Sequence, residues 1–132
     1  MGGEQLYLVD RVGGGCPDCV SIILKDGTSC DSITEAYFYL KFDKKYGHGN
    51  FLHNKKYGGL GNKRYDFYIP NENRYIEVTG FNNRSRNYFS YLRNIVSKKK
   101  YVEEQLNANF EFIYRRLSYR DRKFVESNIL PK

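Results

Sequence analysis

The stretch from Tyr65 to Phe81 reads YDFYIPNENRYIEVTGF and contains two short hydrophobic runs separated by a turn sequence. In the first run, apolar and aromatic side chains alternate with more polar ones, including Asp66, which is typical of a half-buried β-strand. Residues Pro70–Asn73 have the composition of a turn, and Tyr75–Val78 supply the second run. We therefore predict two neighbouring strands, with Asp66 on the first and Glu77 on the second.

Folding these strands as a hairpin brings the carboxylates of Asp66 and Glu77 close together. Such a pair is costly, because like charges repel and burial disfavours ionisation, unless a positive group lies between them. A divalent metal ion would serve, since Mg²⁺ prefers oxygen ligands and keeps several waters, so that two or three carboxylates hold it. The alternative is that both acids are exposed strand residues that face Arg64 or Arg74 as ordinary cross-strand pairs.

Local signals predict the remaining elements. The sequence Ser32-Ile33-Thr34-Glu35 matches a capping box, so a helix should begin there and continue to about Lys44. Residues Tyr46–Lys63 are rich in Gly, Asn, Lys and His, which indicates a basic loop with one short strand around Phe51. Further strands are predicted at Gln5–Val12, Val20–Leu24 and Phe110–Tyr114, and further helices at Tyr88–Leu106 and Ser118–Leu130.

The order of these elements predicts an α/β fold with a mixed central β-sheet flanked by helices. The chain has 132 residues, enough for one hydrophobic core but not for two independent ones, so we expect a single domain. Within this domain we expect a β-hairpin with a cysteine-rich turn in residues 1–30, a core in residues 31–114 and a basic C-terminal helix in residues 115–132.

The net charge of +7 makes nucleic acid the first partner to consider, although many small proteins are basic for other reasons. No stretch approaches the roughly 20 apolar residues that a membrane span needs. The N-terminus lacks the charged and apolar regions of a signal peptide. We therefore expect an intracellular, cytoplasmic protein that does not interact with membranes.

Three cysteines are an odd number for a chain without an export signal, so we expect reduced thiols rather than a disulfide framework. Cys16 and Cys19 have the spacing of half a zinc site, Cys30 could be a third ligand, and His48 or His53 could be the fourth. The second half of such a site lacks a matching pair. The alternative to zinc is a glycine-rich turn that carries thiols, with both histidines exposed in the following loop.

The helix with an inward Glu35, the strand with Asp66, the turn, and the strand that ends in Glu77-Val78-Thr79-Gly80 together resemble the core of the PD-(D/E)XK nuclease superfamily. Within that superfamily, the sequence most resembles the Vsr-like members and the small phage or intron-encoded endonucleases. The resemblance covers about residues 29–113. It implies a restriction-endonuclease-like core, with residues 31–114 as the catalytic part, and a Mg²⁺-dependent (or Mn²⁺-dependent) endodeoxyribonuclease.

The resemblance also implies roles for individual residues. Asp66, Glu77 and the carbonyl of Val78 would hold Mg²⁺, and Glu35 would support a second metal ion or its water. The metal would lower the pKa of the attacking water and neutralise charge on the phosphate. The alternative for Glu35 is that its carboxylate only closes the capping box of its own helix.

One position departs from the family pattern. The usual lysine lies two residues after the second acid, where this chain has Thr79. A lysine from the following helix could replace it, as the resemblance allows. Spacing from the apolar residues of that helix favours Lys99, with Lys98 close behind and Lys100 pointing away. The alternative is that these lysines form a solvated helix face.

Basic residues flank both acids and predict contacts with the phosphates of double-stranded or branched DNA. They are Lys55, Lys56, Lys63, Arg64, Arg84 and Arg86, with Arg93 further along. Tyr46 and Tyr57 could stack on bases or have structural roles. The leading hypothesis is a metal-dependent DNA endonuclease of the phage or mobile-element kind, which could act as a homodimer. The alternatives are a non-catalytic nucleic-acid-binding module of the same fold and a zinc-stabilised adaptor.

Overall fold

The computed structural model describes residues 21–80 and 88–131. In chain order its elements are β1 (Ile22–Ile23), β2 (Ser29–Cys30), α1 (Ile33–Tyr46), β3 (Leu52–Lys56), β4 (Arg64–Ile69), β5 (Arg74–Thr79), α2 (Tyr88–Glu104), β6 (Asn109–Tyr114) and α3 (Tyr119–Glu126). A 3-10 turn, Pro70–Glu72, joins β4 to β5. The strand predicted at Gln5–Val12 lies outside the described residues.

These elements form two compact units. The central unit comprises Phe42–Arg115, and the terminal unit combines the chain up to Lys41 with the chain from Arg116 onward. The boundary falls within α1. The predicted mixed α/β architecture is confirmed, and the sheet belongs to the central unit.

The terminal unit is built on the short hairpin β1–β2, in which Ile22 pairs with Cys30. The C-terminal segment continues this pairing, because Leu24 forms an antiparallel bridge with Ile129 and the N–H of Leu130 donates to the carbonyl of Ile23 at 2.8 Å. Of the strand predicted at Val20–Leu24, Ile22 and Ile23 form β1 and Leu24 forms the bridge, whereas Val20 lies outside the described residues.

Two of the helices have side-chain caps at their N-termini. At the start of α1, the hydroxyl of Ser32 accepts from the N–H of Glu35 at 3.1 Å, and the Glu35 carboxylate accepts from the N–H of Asp31 at 3.3 Å. At the start of α3, Ser118 and Asp121 form a complete capping box. Both arrangements satisfy N–H groups that have no partner inside their helix.

The central unit contains a four-stranded sheet in the order β3-β4-β5-β6. β3, β4 and β5 pair antiparallel, with Phe67 opposite both His53 and Ile76, whereas β5 and β6 pair parallel. A parallel pair needs a long crossover connection, and α2 provides it. The sheet is therefore mixed, as predicted, and β3 is the strand within the segment interpreted as a basic loop.

Asn73 fixes the turn between β4 and β5. It adopts a left-handed conformation (φ 46°) that asparagine tolerates better than most residues. Its side-chain oxygen accepts from the Tyr68 hydroxyl at 2.9 Å, and its backbone carbonyl accepts from the N–H of Asn109 at 2.9 Å. Asn73 thus ties the turn to the start of β6.

The two faces of the sheet have different chemistry. On one face Phe67 and Ile76 are fully buried, and the rings of Phe42 and Phe51 pack on Phe67. Because side chains alternate along a strand, Tyr75 and Glu77 project from the other face, where Val102 of α2 is buried. Tyr75 belongs to a tyrosine cluster, which consists of Tyr57, Tyr65, Tyr68, Tyr75 and Tyr101.

Within the part of the chain that the structure describes, no helix combines the length and the apolar character that a membrane crossing requires.

Candidate active site around Asp66 and Glu77

The last paired residues of β4 and β5 are Phe67 and Ile76, and Asp66 and Glu77 are the next residues along the two strands. The Asp66 carboxylate accepts a hydrogen bond from the backbone N–H of Val78 at 2.8 Å. This hydrogen bond from a side chain replaces the next backbone hydrogen bond between β4 and β5. It holds the Asp66 carboxylate against the backbone that follows Glu77. The hairpin brings the two acids together through residues that are neighbours across the strands.

Glu77 is buried, with 2% of its surface exposed, and pairs with a lysine. The Lys98 ammonium of α2 lies 2.5 Å from a carboxylate oxygen of Glu77, and only 15% of the Lys98 side chain is exposed. The alternative in which Glu77 is an exposed partner of Arg74 does not hold, because Arg74 pairs with Glu72 and Glu111 instead.

Lys98, rather than Lys99, is the lysine at the acids. Lys99 was favoured by its spacing from Leu92 and Ile95, but its ammonium pairs with Glu103 at 2.5 Å on the same helix, and half of its side chain is exposed. The physical reason is the face that α2 presents to the sheet. The inward aromatic is Tyr91, and Lys98 follows Tyr91 by seven positions, which is two helical turns.

Tyr91 contacts the same site from α2. Its hydroxyl donates to the carbonyl of Val78 at 3.4 Å. Burial raises the pKa of Tyr91, a hydrogen bond with Thr79 lowers it in part, and the carboxylates of Glu77 and Asp66 raise it further. The phenol is therefore protonated and lies close to both acids. Thr79 is a buried partner of this tyrosine.

Tyr57 approaches the acids from the other side of the tyrosine cluster. Its ring packs on Tyr65 and Tyr75 at centroid distances of 5.3 and 5.4 Å. Its hydroxyl is buried and has no hydrogen-bond partner within residues 21–80 and 88–131. Burial raises the pKa of Tyr57, and the carboxylates of Glu77 and Asp66 raise it further.

The groups at this site fit a divalent cation. The carboxylates of Asp66 and Glu77 and the ammonium of Lys98 are the charged groups described above. Carboxylate oxygens are the ligands that Mg²⁺ and Mn²⁺ prefer. The orphaned hydroxyl of Tyr57 is a polar group that a hydrated ion could satisfy. Asp66 and Glu77 would hold such an ion, and the Val78 carbonyl already accepts from Tyr91.

Glu35 belongs to the terminal unit, where it caps α1 as described above. The alternative that Glu35 closes the capping box therefore accounts for one of its hydrogen bonds. That Glu35 supports a second metal ion stays a prediction.

The basic residues predicted to contact DNA are partly engaged in the protein. Lys55, Lys56 and Arg64 are exposed on β3 and β4. Lys63 donates to the side chain of Asn94 on α2 at 2.5 Å, and Arg64 donates to the carbonyl of Asn54 at 2.9 Å. Arg84 and Arg86 lie outside the described residues.

The residues of the predicted zinc set have different surroundings. Cys30 is a buried cysteine of β2 that forms no disulfide within the described residues, whereas Cys16 and Cys19 lie outside those residues. His48 is exposed and bonds to Asp43 at 2.9 Å. His53 is half-buried and stacks on Phe67, which differs from the expected exposure. Zinc binding stays a prediction.

Sequence reasoning missed the roles of Tyr57 and Tyr91. The sequence leaves base stacking and a structural role open for both Tyr46 and Tyr57. Tyr57 is buried, and the hydroxyl of Tyr46 accepts a hydrogen bond from Arg74 at 3.0 Å. The spacing of α2 allowed either Tyr91 or Leu92 as its inward residue, and choosing Tyr91 would have pointed to Lys98. Nothing in the local sequence links Tyr57 to the acids.

Comparisons with protein-family models, with curated proteins and with solved structures return no match for this chain.

Proposed function

We propose that this protein is a metal-dependent DNA endonuclease that hydrolyses phosphodiester bonds. The observation that carries the proposal is the buried ion pair between Glu77 and Lys98, which lies beside the carboxylate of Asp66. Two acids and a lysine at one end of a strand pair are the chemistry that phosphodiester hydrolysis with Mg²⁺ or Mn²⁺ requires.

The topology supports the same proposal. A helix, three antiparallel strands, a crossover helix and a parallel strand follow one another as α1, β3, β4, β5, α2 and β6. This order contains the helix, the strand pair and the following helix on which the resemblance to the PD-(D/E)XK superfamily rests, and we propose a restriction-endonuclease-like core on that basis. The acids lie on the strand pair and the lysine on the crossover helix.

Each residue has a role in the proposal. Asp66 and Glu77 hold the cation, which when bound neutralises charge on the phosphate and lowers the pKa of the attacking water. Lys98 takes the role of the lysine that Thr79 replaces. Tyr91 anchors α2 to the backbone of β5 through Val78 and so sets the position of Lys98. Lys55, Lys56 and Arg64 bind the phosphate backbone of DNA.

The test is cleavage of supercoiled plasmid and of branched DNA in Mg²⁺ or Mn²⁺. Asp66→Asn and Glu77→Gln keep the shape of each side chain and remove its charge. We expect each to slow cleavage by about 100-fold or more, because a bound metal contributes several kcal/mol to the transition state. Lys98→Met should also slow cleavage strongly, and EDTA should abolish it.

The matched controls are Glu103→Gln and Lys99→Met, which remove the exposed ion pair one position further along α2. Both should cleave at the rate of the wild type. Cleavage at equal rates by the wild type, Asp66→Asn and Glu77→Gln would overturn the proposal, since a contaminating nuclease would then account for the activity.

A second candidate is a nucleic-acid-binding module that keeps the fold but does not cut DNA. It is favoured by Thr79 and by the fact that Lys98 already neutralises Glu77. This candidate predicts salt-sensitive DNA binding that is the same with and without Mg²⁺ and the same for Glu77→Gln. Binding that strengthens with metal and loses this dependence in Glu77→Gln would decide for the nuclease.

A further inference from the structure

The hydroxyl of Tyr57 is unusual among the polar groups of the central unit. Only 8% of the Tyr57 surface is exposed, and its hydroxyl has no partner in the described part of the chain. Buried polar groups are almost always hydrogen-bonded, because leaving one unsatisfied is costly. An orphaned hydroxyl at this place therefore points to a partner that residues 21–80 and 88–131 do not supply.

The Tyr57 side chain has little freedom to find another partner. The rings of Tyr65, Tyr75 and Tyr101 surround its ring at centroid distances of 5.3, 5.4 and 5.9 Å. Its backbone N–H donates to the carbonyl of Lys63 at 3.2 Å. The ring of Tyr57 is thus held from several sides.

The position of the Tyr57 ring follows from its packing on β5. Tyr75 and Glu77 are two residues apart on that strand and share one face of the sheet. A ring that packs on Tyr75 therefore lies on the face from which Glu77 projects. The carboxylates of Glu77 and Asp66 also raise the pKa of the Tyr57 phenol, which agrees with this position.

We propose that the Tyr57 hydroxyl accepts a hydrogen bond from a water of the hydrated divalent cation held by Asp66 and Glu77. This inference rests on the proposed function. Mg²⁺ and Mn²⁺ retain several waters in protein sites, and those waters donate hydrogen bonds to surrounding oxygens. A neutral phenol oxygen is a suitable acceptor. Tyr57 is then a positioning residue, which orients the hydration shell without touching the metal.

The experiment is a Mn²⁺ titration of the full chain without DNA, in which free Mn²⁺ is followed by electron paramagnetic resonance. Tyr57→Phe removes only the hydroxyl. We expect it to weaken Mn²⁺ binding about tenfold, as is typical when a group that orients a metal's ligands is lost. The same variant should raise the melting temperature of the metal-free protein by about 3 °C, because an unsatisfied buried group is removed.

The matched control is Tyr68→Phe. Tyr68 belongs to the same tyrosine cluster, but its hydroxyl donates to Asn73 at the other end of β4. This control should bind Mn²⁺ like the wild type and should melt slightly lower. Asp66→Asn removes a proposed metal ligand and so shows how much of the Mn²⁺ binding depends on the site itself.

Three results would overturn the inference, and they are distinguishable. If the wild type binds Mn²⁺ through Asp66 but Tyr57→Phe binds it equally well, the role of Tyr57 fails and the proposed function stands. If the metal-free melting temperature falls in Tyr57→Phe, the hydroxyl already has a partner in the protein. If the wild type binds no Mn²⁺, or if Asp66→Asn binds it as well as the wild type does, the metal site of the proposed function fails as well.

Discussion

At the scale of single residues, the ion pair between Glu77 and Lys98 has the largest consequences for stability. Both side chains are largely buried, so each charge depends on the other for compensation. Removal of one partner leaves an uncompensated charge in a poorly solvated place, which costs far more than the loss of an exposed pair. The adjacent pair of Lys99 and Glu103 is exposed and provides the comparison.

We predict that Lys98→Met lowers the free energy of unfolding by about 3 kcal/mol, because Glu77 loses its compensating charge. Lys99→Met should change it by no more than about 0.5 kcal/mol, as for other exposed pairs on helices. Urea unfolding followed by circular dichroism measures both. The double variant Lys98→Met with Glu77→Gln should recover much of the loss, and a Lys98→Met variant as stable as Lys99→Met would contradict the burial of this pair.

The choice between Lys98 and Lys99 could not be made from the sequence for a geometric reason. With about 100° per residue, the two lysines lie about 50° to either side of the line through Ile95 and Val102. Both residues of that line are buried, so the apolar pattern fits either side. Only the identity of the next inward residue, Tyr91 or Leu92, breaks the symmetry, and that depends on how α2 packs on the sheet.

At the scale of elements, the tyrosine cluster links β4, β5 and α2. Burial is the main cause of the raised pKa values of Tyr65, which reaches about 12, and of Tyr75. Neighbouring phenols raise both pKa values further. The cluster therefore favours neutral tyrosines strongly, and its packing is linked to pH.

We predict that the protein loses stability as the pH rises from about 10 to about 12. Tyrosines in the unfolded chain ionise near pH 10, whereas those of the folded cluster hold their protons to higher pH. The stabilisation is fully present below pH 10 and is lost as the pH rises through the folded pKa values. Urea midpoints across this range, with tyrosinate absorbance at equilibrium, measure the effect.

The control for this prediction is Tyr75→Phe, which removes one of the raised phenols and keeps its ring. Its stability should fall less steeply with pH than that of the wild type. Equal slopes for the two proteins would mean that other groups, such as the lysines, cause the alkaline loss.

Elements were predictable where their signals are local. The β4–β5 hairpin follows from strand alternation and from the proline and asparagines of its turn, and the helix starts follow from capping residues. β3 was harder to locate, because its residues Leu52–Lys56 are mostly polar and form a strand only by pairing with β4. Tertiary pairing, rather than propensity, decides such a strand.

At the scale of the whole molecule, the net charge of +7 is the main reason to expect attraction to nucleic acid. The resemblance and the charge together predicted DNA as the partner, but charge alone does not locate the binding surface. The exposed positions of Lys55, Lys56 and Arg64 near the hairpin supply a specific candidate.

We predict that replacing Lys55, Lys56 and Arg64 together by alanine weakens DNA binding and flattens its salt dependence. Each lost phosphate contact should reduce the slope of log affinity against log salt by about 1. Fluorescence anisotropy with labelled duplex at several salt concentrations measures both effects.

The matched control for this surface removes three exposed basic residues of the terminal unit, Lys25, Arg116 and Arg120. Its net charge equals that of the first triple variant. If both variants lose the same affinity and slope, the attraction depends on total charge, and the surface near the hairpin has no special role.

The left-handed turn at Asn73 has a consequence for the site at the opposite end of the same strands. Side chains alternate between faces with a period of two, so a slip of one residue between β4 and β5 would bring a different residue opposite Asp66 and turn Glu77 toward the wrong face. By fixing where β5 begins, Asn73 sets the alignment that places both acids on one side. The residue that sets the alignment of the acids is therefore separated from them by the full length of the hairpin. A chain in which this alignment changed could keep both Asp66 and Glu77 and still not bring their carboxylates together.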